Sequence, residues 1–177
     1  SSAASDVYKR QVEEGTIPTR VTHNDTKINN ILFDRQGEVL CAIDLDTVMA
    51  STSLNDFGDA IRSYANTGDE DDRDLSRVGL SLEMFRAYTE GYLSQRAKQL
   101  TDSEIDHLAF SARYITFEQV LRFLMDYIDG DTYYKVKYPG HNLVRTHAQY
   151  RLLQSMEEHY GEMCRIVRET VDKYRKA

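Results

Sequence analysis

HNDTKINN, residues 23–30, gathers a histidine, an aspartate, a lysine and three asparagines directly ahead of the apolar run Ile31-Leu32-Phe33. A turn into a strand needs only Gly, Ser or Asn for its backbone, so this density of hydrogen-bonding side chains points to chemistry. The next residues set its geometry. Ile31 to Asp34 and Val39 to Asp44 read as strands, and DRQGE between them holds Gly37 where a positive φ is needed, which predicts a β-hairpin. A hairpin lays its two ends side by side. Asp25 in the loop, Asn30 at the head of the first strand and Asp44 after the second are therefore expected to converge. One carboxamide and two carboxylates form a hard-oxygen site of the kind Mg²⁺ takes in part, its other positions left to water and phosphate.

Upstream, Thr19 to Thr22 reads as a further short strand. Downstream of about Asp56 the pattern is helical. LNDFGDAIRSYAN (54–66) spaces Phe57, Ile61 and Tyr64 on one face, with Asn55 or Asp56 as the expected N-cap. The acidic stretch DEDDRD (69–74) has no Ca²⁺-loop pattern, and its adjacent like charges read as a solvated loop. SLEMFRAYTEGYLSQRAKQL (81–100) repeats Leu82, Phe85, Tyr88 and Tyr92. TDSE (101–104) matches a capping box and opens a long helix running towards Gly130. Pro139 then precedes a last helix, expected over 142–173. The predicted architecture is mainly α, a small β-hairpin packed on a helical bundle.

The chain's 177 residues with 41% apolar content suffice for one core. The first eleven, SSAASDVYKRQ, resemble translated adapter sequence and are expected to be non-native, leaving 12–177 as the domain. A net charge of −7 disfavours nucleic-acid binding. No run of 18 apolar residues or signal-type segment argues for a membrane. Cys41 and Cys164 are expected to be reduced, buried thiols, which fits a cytoplasmic setting.

The motif H-x-D-x-x-x-x-N (His23, Asp25, Asn30), followed after a hairpin by Ile43-Asp44, resembles the catalytic and metal-binding loops of the aminoglycoside phosphotransferase and choline kinase family. HNDTKINNILFD, IDLDTVMA, DFGDAIR and RFLMDYIDGDTYYK look closest to its N-acetylhexosamine 1-kinase branch. The resemblance runs from about residue 20 onward. It implies the C-terminal lobe of a protein-kinase-like fold, with catalytic loop 21–30, metal-binding hairpin end 43–46 and helical subdomain 55–177.

By that resemblance the full-length protein is an ATP- and Mg²⁺-dependent phosphotransferase acting on a small-molecule hydroxyl, such as the anomeric 1-OH of an N-acetylhexosamine. Asp25 takes or orients the proton of that hydroxyl, and Lys27 reaches the γ-phosphate. Asn30 and Asp44 hold Mg²⁺ against the nucleotide, with Asp46 beside them. His23 braces the loop, and Asp56 either caps its helix or ties the loop in place. Arg122 and Tyr133 are expected to touch the sugar, with Asp126 and Asp129 weaker. A plain Arg122–Asp126 salt bridge is the simpler alternative. The glycine-rich N-terminal lobe of a kinase, the partner such a lobe requires, is not in these residues. The segment alone is therefore expected to bind ATP weakly and turn over little. The alternatives are a noncatalytic pseudokinase or scaffold, a metal-dependent hydrolase using Asp25, Asp44 and Asp46, or a kinase for an aminoglycoside, choline or homoserine.

Overall fold

A computed structural model of the chain describes residues 12–176. The adapter-like segment 1–11 lies outside the described residues. Two antiparallel pairs of short strands are nested in sequence. The inner pair is the expected hairpin, Ile31–Phe33 against Val39–Ala42, with Ile31 opposite Ala42 and an irregularity between Leu32 and Phe33. Gly37 turns it at φ +87°, and Asp34 Oδ1 accepts from the amides of Gln36 and Glu38, both at 2.8 Å. The outer pair joins Arg20–Thr22 to Met49–Ser51. In chain order these strands are β1 (20–22), β2 (31–33), β3 (39–42) and β4 (49–51). The sequence pattern did not disclose β4, whose three residues are too few to show a period.

Among the described residues five α-helices follow: α1 Ser53–Tyr64, α2 Leu82–Arg96, α3 Asp102–Ile128, α4 His141–Glu158 and α5 Tyr160–Arg175. The N-cap of α1 is Thr52, whose side chain accepts from the Leu54 amide at 3.1 Å, not Asn55 or Asp56. Freed from capping, Asp56 turns to the loop described below. The capping box of α3 forms as expected, with Thr101 Oγ1 accepting from Glu104 N and Glu104 Oε2 from Thr101 N. The single terminal helix expected over 142–173 is instead two. His159 leaves helical geometry at φ −104°, ψ 9°, and its Nδ1–H donates to the Ser155 carbonyl at 2.8 Å, at the point where α4 gives way to α5.

The long α3 packs along α1 and α4, and α2 packs along α5. Leu54, Phe57 and Ile61 of α1 meet Phe85, Leu93, Leu108, Leu152, Met156 and Met163 in one core. Phe57 is its hub, edge-on to Phe85, Tyr88 and Tyr92 with ring centroids 5.2–6.3 Å apart. Gly58 allows α1 to approach α3 closely: a Cβ there would lie 2.6 Å from the Ser111 carbonyl oxygen.

Two expectations fail outside the core. Cys41 is exposed, because β3 buries neither face; Leu32, Phe33, Val39 and Leu40 on the same hairpin are exposed too. The acidic loop is not merely solvated. Glu70 pairs with Arg62 at 2.7 Å, and Asp71 joins Lys137 (2.9 Å) and buried His141 (2.8 Å), which draw its pKa down to about 2. The loop is thus pinned to the start of α4. Among the described residues, no helix is long and apolar enough to cross a membrane.

Candidate active site

The strand β1 delivers the chain into HNDTKINN, and three devices hold that loop in shape. Asn24 adopts φ +62°, a left-handed conformation Asn tolerates, while its Nδ2 donates to the Thr47 carbonyl at 3.0 Å. The Asp56 carboxylate, in the first turn of α1, accepts from the amides of His23 (3.0 Å) and Asn24 (2.7 Å). Thr26 Oγ1 donates to the Asp56 carbonyl at 2.7 Å, and Thr47 Oγ1 to the His23 carbonyl at 2.6 Å. Of the two roles expected for Asp56, its carboxylate performs the tying of the loop.

His23 braces the loop to the hairpin. Its Nδ1 accepts from the Asp25 amide at 3.3 Å, so Nε2 carries the proton and donates to the Ile43 carbonyl at 2.9 Å. The Ile43 amide in turn donates to the Asn30 carbonyl at 2.9 Å, continuing the ladder past β2 and β3. The hairpin ends thus stand side by side, with Asp44 the next residue, at φ +62°. Asp44 and Asp46 are exposed, and no group of three or more His, Cys, Asp or Glu is placed to hold a metal among the described residues.

Asp25 and Asn30 meet directly. Asn30 is buried and its Nδ2 donates at 2.8 Å both to the Asp25 carbonyl and to Asp25 Oδ2. Lys27 Nζ donates to the same Oδ2 at 2.7 Å. With Oδ2 doubly engaged, Asp25 Oδ1 accepts no hydrogen bond from the described residues. Likewise, Asn30 spends its amide hydrogens on Asp25 and its Oδ1 stays available. Burial pushes the Asp25 carboxyl up, but the bonds from Lys27 and Asn30 and the nearby charges of Lys27 and Arg62 outweigh it, leaving the pKa below the ordinary carboxylate value. Asp25 is therefore a carboxylate at neutral pH, one oxygen anchored and the other open.

Asp25 and Lys27 line a cavity of about 640 Å³, within the range of roughly 300–1,000 Å³ usual for small-molecule sites. Its far wall comes from α3, the 131–138 segment and α4: Gln119, Arg122, Tyr133, Tyr134, Arg145 and Gln149. Arg122 and Tyr133 thus share a cavity with Asp25 across about a hundred residues of sequence. Arg122 does not pair with Asp126; its guanidinium lies 5.9 Å and 5.7 Å from the ring centroids of Tyr133 and Tyr134. Asp126 does not line that cavity but a neighbouring one of about 430 Å³, with Arg122, Asp129 and Tyr133. It is buried and accepts from Tyr133 N (2.7 Å), Tyr134 N (2.9 Å) and Asn142 Nδ2 (2.7 Å), which fixes the segment carrying Tyr133. Burial raises its carboxyl, yet those amides hold the pKa below the ordinary value.

A model of the phosphotransferase enzyme family matches residues 4–97, more than half of the chain. The chain belongs to that family. The matched span ends just past α2, so it carries the Asp25–Asn30 loop, the hairpin and α1 of this phosphotransferase-family protein, but none of the α3 and α4 wall. Sequence alone does not single out Arg62, Arg145 or Gln149. Arg62 lies within DFGDAIR, where a charged residue on a helix carries no local signal of burial. It is buried, its Nε and Nη2 on Asp59 Oδ1 and its Nη1 on Glu70. Arg145 and Gln149 have no local signal at all, since only the packing of α4 against α3 brings them to the cavity.

Proposed function

We propose that the protein is an ATP- and Mg²⁺-dependent small-molecule kinase whose acceptor is a sugar, with the anomeric hydroxyl of an N-acetylhexosamine the preferred nucleophile. The observation that carries this is the state of Asp25: Oδ2 is held by Lys27 and Asn30, while Oδ1 is free beside a cavity shared with Arg122 and Tyr133. Phosphoryl transfer needs little covalent help, so a carboxylate that orients one hydroxyl supplies most of what the protein must do on the acceptor side. The sugar O–H proton passes to Asp25 Oδ1 as the new O–P bond forms to the γ-phosphorus. The bond from that phosphorus to the β–γ bridging oxygen breaks, and its electron pair leaves with ADP. Lys27, already 2.7 Å from Asp25, carries the cation that a transferring phosphoryl group requires.

The oxygens that fit Mg²⁺ are Asn30 Oδ1, left over from the bonds to Asp25, and the exposed Asp44 carboxylate at the adjoining strand end, with Asp46 two residues further on. Mg²⁺ takes one or two protein oxygens and fills its remaining positions from phosphate and water, so this short donor set suits it. Bound there, the ion neutralises charge on the nucleotide phosphates. The exposed apolar side chains of the hairpin, Leu32, Val39 and Leu40, suit packing against a nucleotide-holding lobe, and the activity proposed belongs to an enzyme with that lobe.

The test is an ATP-consumption assay on protein carrying the complete kinase fold, with Mg²⁺ and a panel of free sugars. ATP should fall only when an acceptor is present, with a sugar 1-phosphate as product. Steady ATP hydrolysis without acceptor would overturn the kinase reading in favour of a hydrolase, and no turnover with any sugar would favour a scaffold.

A further inference from the structure

We infer that Gln149 and Arg145 form a subsite that reads an amide carbonyl oxygen on the acceptor, so that an acylamino sugar is selected over the free amine; this deepens, and rests on, the sugar reading above. Gln149 is fully buried on α4 and lines the cavity. Its Oε1 accepts from Arg62 Nη1 at 3.3 Å. A guanidinium only donates, so the oxygen must be the end facing Arg62, and the Nε2 amino group is left over. That group has no partner among the described residues. One turn earlier, Arg145 also lines the cavity, and its Nε is likewise buried without a partner. Its Nη1 donates to the Asn142 Oδ1 (3.0 Å) and the Lys135 carbonyl (3.3 Å), and its guanidinium lies 5.3 Å from the Phe123 centroid, with no carboxylate in ion-pair range among the described residues.

Buried donors without acceptors are uncommon because each has given up water and gained nothing. Here two occur at i and i+4, a spacing that puts Cβ atoms about 5–6 Å apart on one face of the helix. Both residues line the same cavity. What enters must accept and has no need to donate. A hydroxyl must also place its own proton, for which neither group offers an acceptor, whereas an amide oxygen has two lone pairs and no proton. An ammonium has no lone pair to give and is repelled by the unpaired Arg145 charge. Both residues lie outside the span matched by the family model, and Asp25 and Asn30 lie inside it. The reacting group and the selecting wall therefore come from different parts of the chain.

The experiment measures binding of N-acetylglucosamine, glucosamine and glucose to the chain by calorimetry and saturation-transfer NMR, with no nucleotide present. N-acetylglucosamine should bind about tenfold more tightly than glucose, and glucosamine most weakly. Gln149→Met should lose about that tenfold for the acetylated sugar and leave glucose unchanged; it also removes the Oε1 acceptor of Arg62 Nη1, which Glu70 still engages at 2.7 Å, so the melting temperature should fall by no more than about 4 °C. Gln149→Glu, which replaces a donor with an acceptor, should shift preference towards glucosamine. If Gln149→Met does not fold, Arg145→Met reads the same loss. Equal binding of all three sugars, or an intact preference in these variants, overturns the subsite and leaves the sugar reading standing. Failure of every sugar to bind overturns both. The expected preference in a protein that never transfers phosphate upholds the subsite and removes the kinase reading.

Discussion

Replacing Glu104 with Gln should loosen the clamp that aims the His23–Asn30 loop. Glu104 is wholly buried, yet its carboxylate takes Arg20 Nε (2.7 Å) and Nη2 (2.8 Å), Ser53 Oγ (2.7 Å) and the Thr101 amide (2.8 Å). One side chain thereby ties β1 to α1 and α3, and β1 leads straight into His23. Burial alone would raise the carboxyl, but the bonds from Arg20, Thr101 and Ser53 outweigh it and bring the pKa from 4.5 to about 2. At about 1.4 kcal/mol per pH unit that fall corresponds to roughly 3 kcal/mol. Arg20 keeps 23% of its side chain exposed, so screening trims the figure to about 2–3 kcal/mol. For a chain of this size each kcal/mol moves the melting temperature by about 2–4 °C, so Glu104→Gln should melt about 4–12 °C below the parent at pH 7 by circular dichroism. The pH dependence has a fixed sign. A depressed folded pKa stabilises fully above the unfolded value near 4.5, and the contribution drains away as the pH falls towards 2. The gap between variant and parent should therefore close in acid. A melting temperature within about 1 °C of the parent at pH 7, or a gap undiminished near pH 2.5, would refute the argument.

For the proposed kinase, assayed on protein carrying the complete kinase fold, Asp25→Asn should lower kcat by several orders of magnitude with little change in nucleotide affinity, while Asp44→Asn should abolish Mg²⁺-dependent nucleotide binding; a near-normal rate for the first removes Asp25 as the proton acceptor. Because the Asp25 pKa lies below the ordinary value, the acid limb of kcat should fall below the usual carboxylate range, which a pH–rate profile checks. Asp56→Ala leaves the amides of His23 and Asn24 without their acceptor, so kcat should drop at least tenfold with a loss of about 1–3 kcal/mol in stability by urea unfolding. Gly58→Ala should cost about 1–3 kcal/mol in the same assay, because the new Cβ meets the Ser111 backbone and Ile115; an unchanged midpoint would mean that α1 and α3 separate freely.

Much of this protein was determined by short-range order. The turn chemistry of DRQGE specified the hairpin, and pairing across it set Asn30 beside Ile43, one residue from Asp44, without any knowledge of the remaining fold. Thr101 and Glu104 marked the start of α3 because a capping box acts within four residues. Apolar spacing placed Phe57, Ile61 and Phe85 in the core for the same reason: a helix face repeats locally. Tertiary structure decided what happens where polar groups choose among distant partners. Asp56 left the cap to Thr52 and took the loop, Asp126 anchored the Tyr133 segment, the acidic loop found Arg62 and His141, and Arg145 and Gln149 came to face the cavity. A carboxylate or guanidinium reaches several ångströms in any direction, so its sequence neighbours say little about its partner. Only the packing of α4 on α3 set the cavity wall opposite Asp25, since that wall is assembled from residues a hundred positions away.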